Sequence, residues 1–183
     1  MRAAVVERPG HLVVRDLPTP AIGPYDALCE LLYGAVCTGT DQHLVAGHFP
    51  WPVRYPTVLG HESIGRVVEV GPQVRHLGLG DLVTRVGVPP APGGEFHVNW
   101  GGFCELGVAR DWRAMEQDKV PPEQWRGHRV NRKLPAGTDA AAATMVITWR
   151  ETLSYIQRLG VGPGRSSPRT RSTCPLLPTA SMT

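Results

Sequence analysis

The stretch His61–Val83, HESIGRVVEVGPQVRHLGLGDLV, sets the fold class. Within it, Ile64–Val70 alternates apolar and polar positions, as a half-buried strand does, and stops at Gly71-Pro72, where a sheet ladder cannot continue. A second β-branched run, Asp81–Val88, follows and ends in Pro89-Pro90. Working outward toward the N-terminus, Ala27–Val36 is an apolar run that carries Glu30. Before it, Arg2–Val6 and Leu12–Asp16 face each other across Pro9-Gly10 as the arms of a hairpin. Several short strands joined by Gly- and Pro-bearing turns predict a mainly β domain with short helices, a barrel or sandwich rather than a parallel sheet.

Toward the C-terminus the pattern changes. Asp139 is placed to cap a helix running from Ala140 to about Leu159, with Gly160 as its stop, and one long helix is expected there. The stretch 111–133 is highly charged and broken by Pro121-Pro122, so it reads as a surface excursion. After Gly164 the composition turns to Ser, Thr, Pro and Arg without periodicity, and residues 165–183 are expected to be disordered. The organisation predicted is a β domain over 1–135, a helix-bearing connection over 136–164 and a tail.

Composition excludes several classes of function. Of the 183 residues, 42% are hydrophobic and 19% charged, enough for a packed core and against wholesale disorder. The 19 Lys and Arg exceed the 16 Asp and Glu by three, and Arg165, Arg169 and Arg171 account for the excess, since residues 165–183 contain no acid. Residues 1–164 are thus balanced and present no basic field for nucleic acid, so no nucleic-acid partner is expected. No stretch of eighteen uncharged apolar residues occurs, which predicts no membrane partner. Charges interrupt each apolar run of the first thirty residues, as they do not in a secretory leader. Cys29, Cys37, Cys104 and Cys174 are too dispersed for a disulfide framework, which suits a reducing, cytoplasmic setting.

The chemistry-bearing residues lie in Gly34-Ala-Val-Cys-Thr-Gly-Thr-Asp-Gln-His43 and in Val58-Leu-Gly-His61-Glu62. Together with the opening MRAAVVERPG, the 61–83 run and GGFCEL (101–106), they resemble the zinc-dependent medium-chain alcohol and polyol dehydrogenases over roughly residues 1–164. The resemblance implies a GroES-like β-barrel catalytic domain. It also implies one catalytic zinc, for which the Cys37 thiolate and the His61 imidazole are suitable ligands. By the same resemblance, Glu62 stays near the metal, Glu151 is the candidate third ligand, and Asp41 orients the imidazole from behind. Thr40 and His43 keep the family's spacing for a proton relay. The implied reaction is hydride transfer from a small alcohol, polyol or sugar to NAD(P).

Three departures from the family pattern stand out. Two residues, not one, separate Cys37 from Thr40, so Thr38 is the other candidate for the relay hydroxyl. Residues 85–133 hold only Cys104, which predicts no structural zinc. Finally, Gly160-Val-Gly-Pro-Gly164 leads into Arg165-Ser-Ser-Pro rather than a β-run and a G-x-G-x-x-G fingerprint. A Rossmann coenzyme domain is therefore expected to be absent beyond its leading helix, the tail having the look of out-of-frame translation. With it goes the family's usual oligomer interface. The fragment is expected to be weakly active or inactive alone. The competing reading is a non-catalytic zinc-binding or interaction module, and a zinc-free quinone-reductase relative is disfavoured by Cys37 and His61.

Overall fold

A computed structural model describes residues 1–91 and 93–160. The expected tail, 165–183, and the Gly162-Pro-Gly164 approach to it lie outside the described residues. The chain divides into two compact units, Met1–Thr148 and one that begins at Trp149.

The first unit is built on two four-stranded sheets. Strand β1 (Arg2–Arg8) pairs antiparallel with β2 (His11–Asp16) across the Pro9-Gly10 turn, where Gly10 takes φ +77°. The other edge of β1 pairs with β4 (Thr57–Val58), which pairs in parallel with β7 (His97–Val98). In the second sheet, β3 (Asp26–Ala35) is central. It lies between β5 (Glu62–Val70), which carries β6 (Leu82–Thr84) on its far side, and β8 (Leu106–Arg110). The mainly β architecture expected from the strand spacing is the one observed.

Burial explains why these runs are strands. One core cluster joins Ala3, Val5, Leu17, Val58 and Val88, and a second joins Ala27, Cys29, Val67, Val83 and Ala109. Each set draws on alternate positions of its strands, as the period-2 side-chain pattern requires, while Val6, on the opposite side of β1 from Val5, is buried in a separate cluster with Leu44 and Leu59. The run expected over 81–88 is cut to three residues. Arg85 adopts φ +56°, which ends the ladder, and the chain then passes so close to Trp100 that a Cβ on Gly87 would sit 2.1 Å from its carbonyl oxygen.

Two helical expectations are revised. The single helix expected from 140 to 159 is two, α3 and α4 in chain order, Ala140–Ala143 and Val146–Arg158. Asp139 caps the first as expected, through Ala141 and Ala142 N–H. Thr144 and Met145 then bond back only three residues, to Ala141 and Ala142 O, and the tightened turn breaks the run. The segment 111–133 is not merely a surface excursion. It forms a helix, α2 (Trp112–Gln117), and two short 3-10 turns that bury Trp112, Met115 and Trp125 as a cluster of their own. Charged residues on the outer face hid these apolar anchors in the composition.

Asp111 holds that segment to the sheets. Its carboxylate accepts the backbone N–H of Arg75 and His76 at 2.7 Å each and caps α2 through Ala114 N–H at 3.0 Å, with His76 Nδ1 also 3.0 Å away. Burial alone would raise this carboxyl, but the three backbone donors and His76 outweigh it and hold it below the usual carboxylate range. His128 is lowered, first by burial and then by the Arg110 guanidinium. Both histidines therefore have partners, His76 in Asp111 and His128 in Arg110.

Replacing Asp111 with Ala is expected to cost about 2–4 kcal/mol in urea unfolding, since it strands several buried donors at once. Because the folded protein resists protonating both groups, their stability contributions are complete above the unfolded pKa values. The His128 contribution falls away as pH drops below about 6.5, and the Asp111 contribution is lost below about 4. His128→Gln is expected to flatten the upper part of that decline, measured as unfolding midpoint against pH.

Candidate functional site

Strand pairing brings the two chemistry-bearing motifs to one end of the second sheet. In the antiparallel register of β3 with β5, Ala35 lies opposite Glu62 and Gly34 opposite Ser63. The chain leaving β3 toward Cys37 and the chain entering β5 through His61 therefore meet at the same edge. Beyond Cys37 begins helix α1 (Thr40–Ala46).

The Cys37 loop closes on itself through Asp41. Asp41 N–H donates to Cys37 O at 3.0 Å, while Cys37 N–H donates to Asp41 Oδ2 at 2.9 Å. Thr40 N–H points to the Cys37 sulfur at 3.4 Å. The two-residue spacer Thr38-Gly39 is accommodated within this closed turn. The other carboxylate oxygen of Asp41 faces His61, with Oδ1 3.5 Å from Nδ1. Asp41 is 3% exposed and His61 7%, and neither of these two atoms makes a hydrogen bond.

His61 reaches this position because Gly60 precedes it. Gly60 takes φ +93°, and a Cβ there would lie 2.4 to 2.6 Å from the ring and backbone nitrogen of Phe103. Gly102 N–H and Phe103 N–H donate to Gly60 O and Leu59 O, so the 101–106 motif is the strap that holds the turn. Trp100 packs beside the imidazole with ring centroids 5.2 Å apart.

Glu62 is buried, at 4% exposure, and accepts a hydrogen bond on Oε1 from the Thr148 hydroxyl. Sequence reading did not single out Thr148; an isolated hydroxyl near a helix start gives no signal of a partner 86 positions away. Glu151 is exposed on α4 and belongs to the second compact unit. Thr40 is half-buried at the start of α1. His43 is exposed and borders a cavity of about 600 Å³ whose other walls include Leu12, Val36, Val45, Leu59 and Phe103.

Among the described residues, no group of three or more His, Cys, Asp and Glu side chains is placed to hold a metal ion. Two donors nevertheless fit one by their chemistry. A thiol and an imidazole stand at one sheet edge, and the buried imidazole has a carboxylate behind Nδ1, as zinc-ligating histidines do. Cys29 and Cys104 are different in kind: burial pushes each thiol up to about 12, which keeps both protonated and inert. Among the described residues, no helix is long and apolar enough to cross a membrane.

Comparison with known proteins identifies the family. Residues 23–122 match the family model for the alcohol dehydrogenase GroES-like domain. The chain is 42% identical to alcohol dehydrogenase 1 of Emericella nidulans over 173 residues, which is 86% of this chain and 45% of that protein. It is 40% identical to sorbitol dehydrogenase of Halalkalibacterium halodurans over 164 residues, 85% of this chain and 44% of the relative. A solved structure from Sinorhizobium meliloti, described as a zinc-binding dehydrogenase bound to NADP, superposes with a TM-score of 0.56 at 26% identity, covering 79% of this chain and 41% of that one. The chain thus spans less than half the length of these relatives.

Burial of Cys29 and Cys104 makes Cys37 the expected first target of alkylation among these three. With iodoacetamide at pH 8, peptide mass spectrometry should find Cys37 modified well before Cys29 and Cys104. Equal rates at the three positions would contradict the placement described above.

Proposed function

The chain belongs to the zinc-type medium-chain alcohol and polyol dehydrogenase family through its GroES-like domain, and on that premise we propose that Cys37 and His61 hold a catalytic zinc. The observation that carries the reading is Asp41. One carboxylate oxygen accepts the Cys37 N–H and the other lies 3.5 Å from His61 Nδ1, so a single buried side chain lies against both candidate ligands. With Nδ1 turned to Asp41, Nε2 is the imidazole nitrogen left for the ion. Glu62 supplies a buried carboxylate next to His61 in the chain, and Glu151 is the candidate third ligand.

A zinc ion at this place would supply Lewis acidity toward the oxygen of a small alcohol, polyol or sugar, with NAD(P) as hydride acceptor. The remaining work falls to the chain itself. Thr40 is the candidate to take the substrate hydroxyl proton, and His43, exposed three residues along α1, is the candidate to pass it to solvent. Asp41 keeps the imidazole in one orientation throughout. We further propose that residues 1–183 by themselves turn over little, because they span less than half the length of their relatives and hydride transfer requires the reacting carbon to be positioned against a nicotinamide. A cytoplasmic location follows from the same reading of its cysteines.

One observation favours a second reading. The α4 side chain that contacts Glu62 is Thr148, which as a neutral hydroxyl is a poor zinc ligand. A domain with two strong donors and no third would bind zinc weakly and serve as a non-catalytic module.

Elemental analysis of the purified chain tests the Cys37 and His61 assignment that both readings share, and the Glu151 variant bears on the choice between them. About one zinc per chain, lost in Cys37→Ala and in His61→Ala, supports the catalytic site, and loss of zinc in Glu151→Ala assigns the third ligand. Absence of zinc after metal-replete preparation would refute the assignment of Cys37 and His61. Asp41→Asn should retain the ion but weaken its affinity about 10–100-fold in chelator competition.

A further inference from the structure

Three guanidinium groups converge on the indole of Trp112. Arg113 Cζ and Arg129 Cζ each lie 5.4 Å from the ring centroid, and Arg132 Cζ lies 4.8 Å away. No two of them can then be further apart than about 11 Å, close to the screening length of physiological salt. The ring itself is fixed. Its Nε1–H donates to Asn131 O at 3.1 Å, it stacks on Trp125, and it is buried.

Beside this cluster opens a cavity of about 340 Å³ whose walls include His76, Arg110, Trp112, Arg113, Arg132 and Lys133. Two of these cations have carboxylate partners that are not among the lining residues, Arg110 with Asp26 and Lys133 with Asp81, each at 2.7 Å. Asp111 also borders the cavity, but both of its oxygens are already engaged by Arg75, His76 and Ala114. Among the described residues Arg113 and Arg129 make no ion pair. A concave site thus gathers positive charge, and the one carboxylate on its wall is held by other donors.

We propose that this cavity binds a phosphate group, carried by a phosphate monoester of a small polyol or sugar. Paired guanidinium forks match the oxygens of a tetrahedral dianion, and Lys133 adds a point charge at the same wall. A dianion also relieves the mutual repulsion of the cluster around Trp112, which a neutral ligand would not. The cavity is larger than a bare phosphate, and Leu77 and Pro135 on its wall offer apolar surface to an attached carbon chain. The site uses none of the residues assigned to zinc, and it stands whether or not that assignment does.

Isothermal titration of the purified chain with sorbitol 6-phosphate, inorganic phosphate and unphosphorylated sorbitol tests it. The expected result is saturable binding of the monoester, none of sorbitol, and affinity that weakens with added salt. Binding of inorganic phosphate as tightly as the monoester would overturn the monoester as the ligand and leave free phosphate as the occupant. Arg113→Gln and Lys133→Gln, each checked for an unchanged unfolding midpoint, are expected to raise the Kd about tenfold apiece, as loss of a charge-assisted contact does. The proposal fails if no phosphate compound saturates the site, or if both variants bind as the parent does.

Discussion

The antiparallel register of β3 against β5 is the constraint on which the site depends. Because Ala35 stands opposite Glu62, the loop that bears Cys37 and the turn that bears His61 leave the sheet at one edge. A slip of one residue would turn every side chain of β5 to the other face and carry His61 away from Asp41. The register is held by burial. Ala27 and Cys29 on β3 and Val67 on β5 pack into one cluster, so the apolar interior of the sheet and the polar chemistry at its end are set by the same pairing.

Local backbone chemistry then does what the register cannot. Gly60 permits a left-handed turn against Phe103, and Asp41 closes the Cys37 loop from within α1. The first joins segments distant in sequence, and the second acts over four residues while the other oxygen of Asp41 faces His61. The result is that Cys37 and His61 have their backbone fixed by contacts within the protein, with one carboxylate facing both. Such preorganisation lowers the ordering cost that a ligand would otherwise meet.

Much of this was legible in the sequence, and the reasons are physical. Alternation in Ile64–Val70 and the hairpin around Pro9-Gly10 reported the strands directly, because the side-chain period of a sheet is local. Cys37, Asp41 and His61 were singled out by a resemblance to a family whose domain model matches residues 23–122, and strand register then brings their segments to one end of the sheet. What escaped was carried by long-range contact. Thr148 meets Glu62, and Asp111 meets His76, across separations no local pattern records. The buried face of 111–133 was hidden by its own charges, since arginines stacked over Trp112 and Trp125 make an apolar cluster read as a solvated one.

The closed Cys37 loop has one more consequence. The Cys37 amide proton is held by the side chain of Asp41, while its neighbours along β3 are held by the backbone of adjoining strands. Its exchange with deuterated solvent is therefore governed by the opening of a single carboxylate contact, decoupled from the cooperative opening of the sheet. That one amide is a built-in probe of the donor loop, readable while the rest of the barrel stays closed.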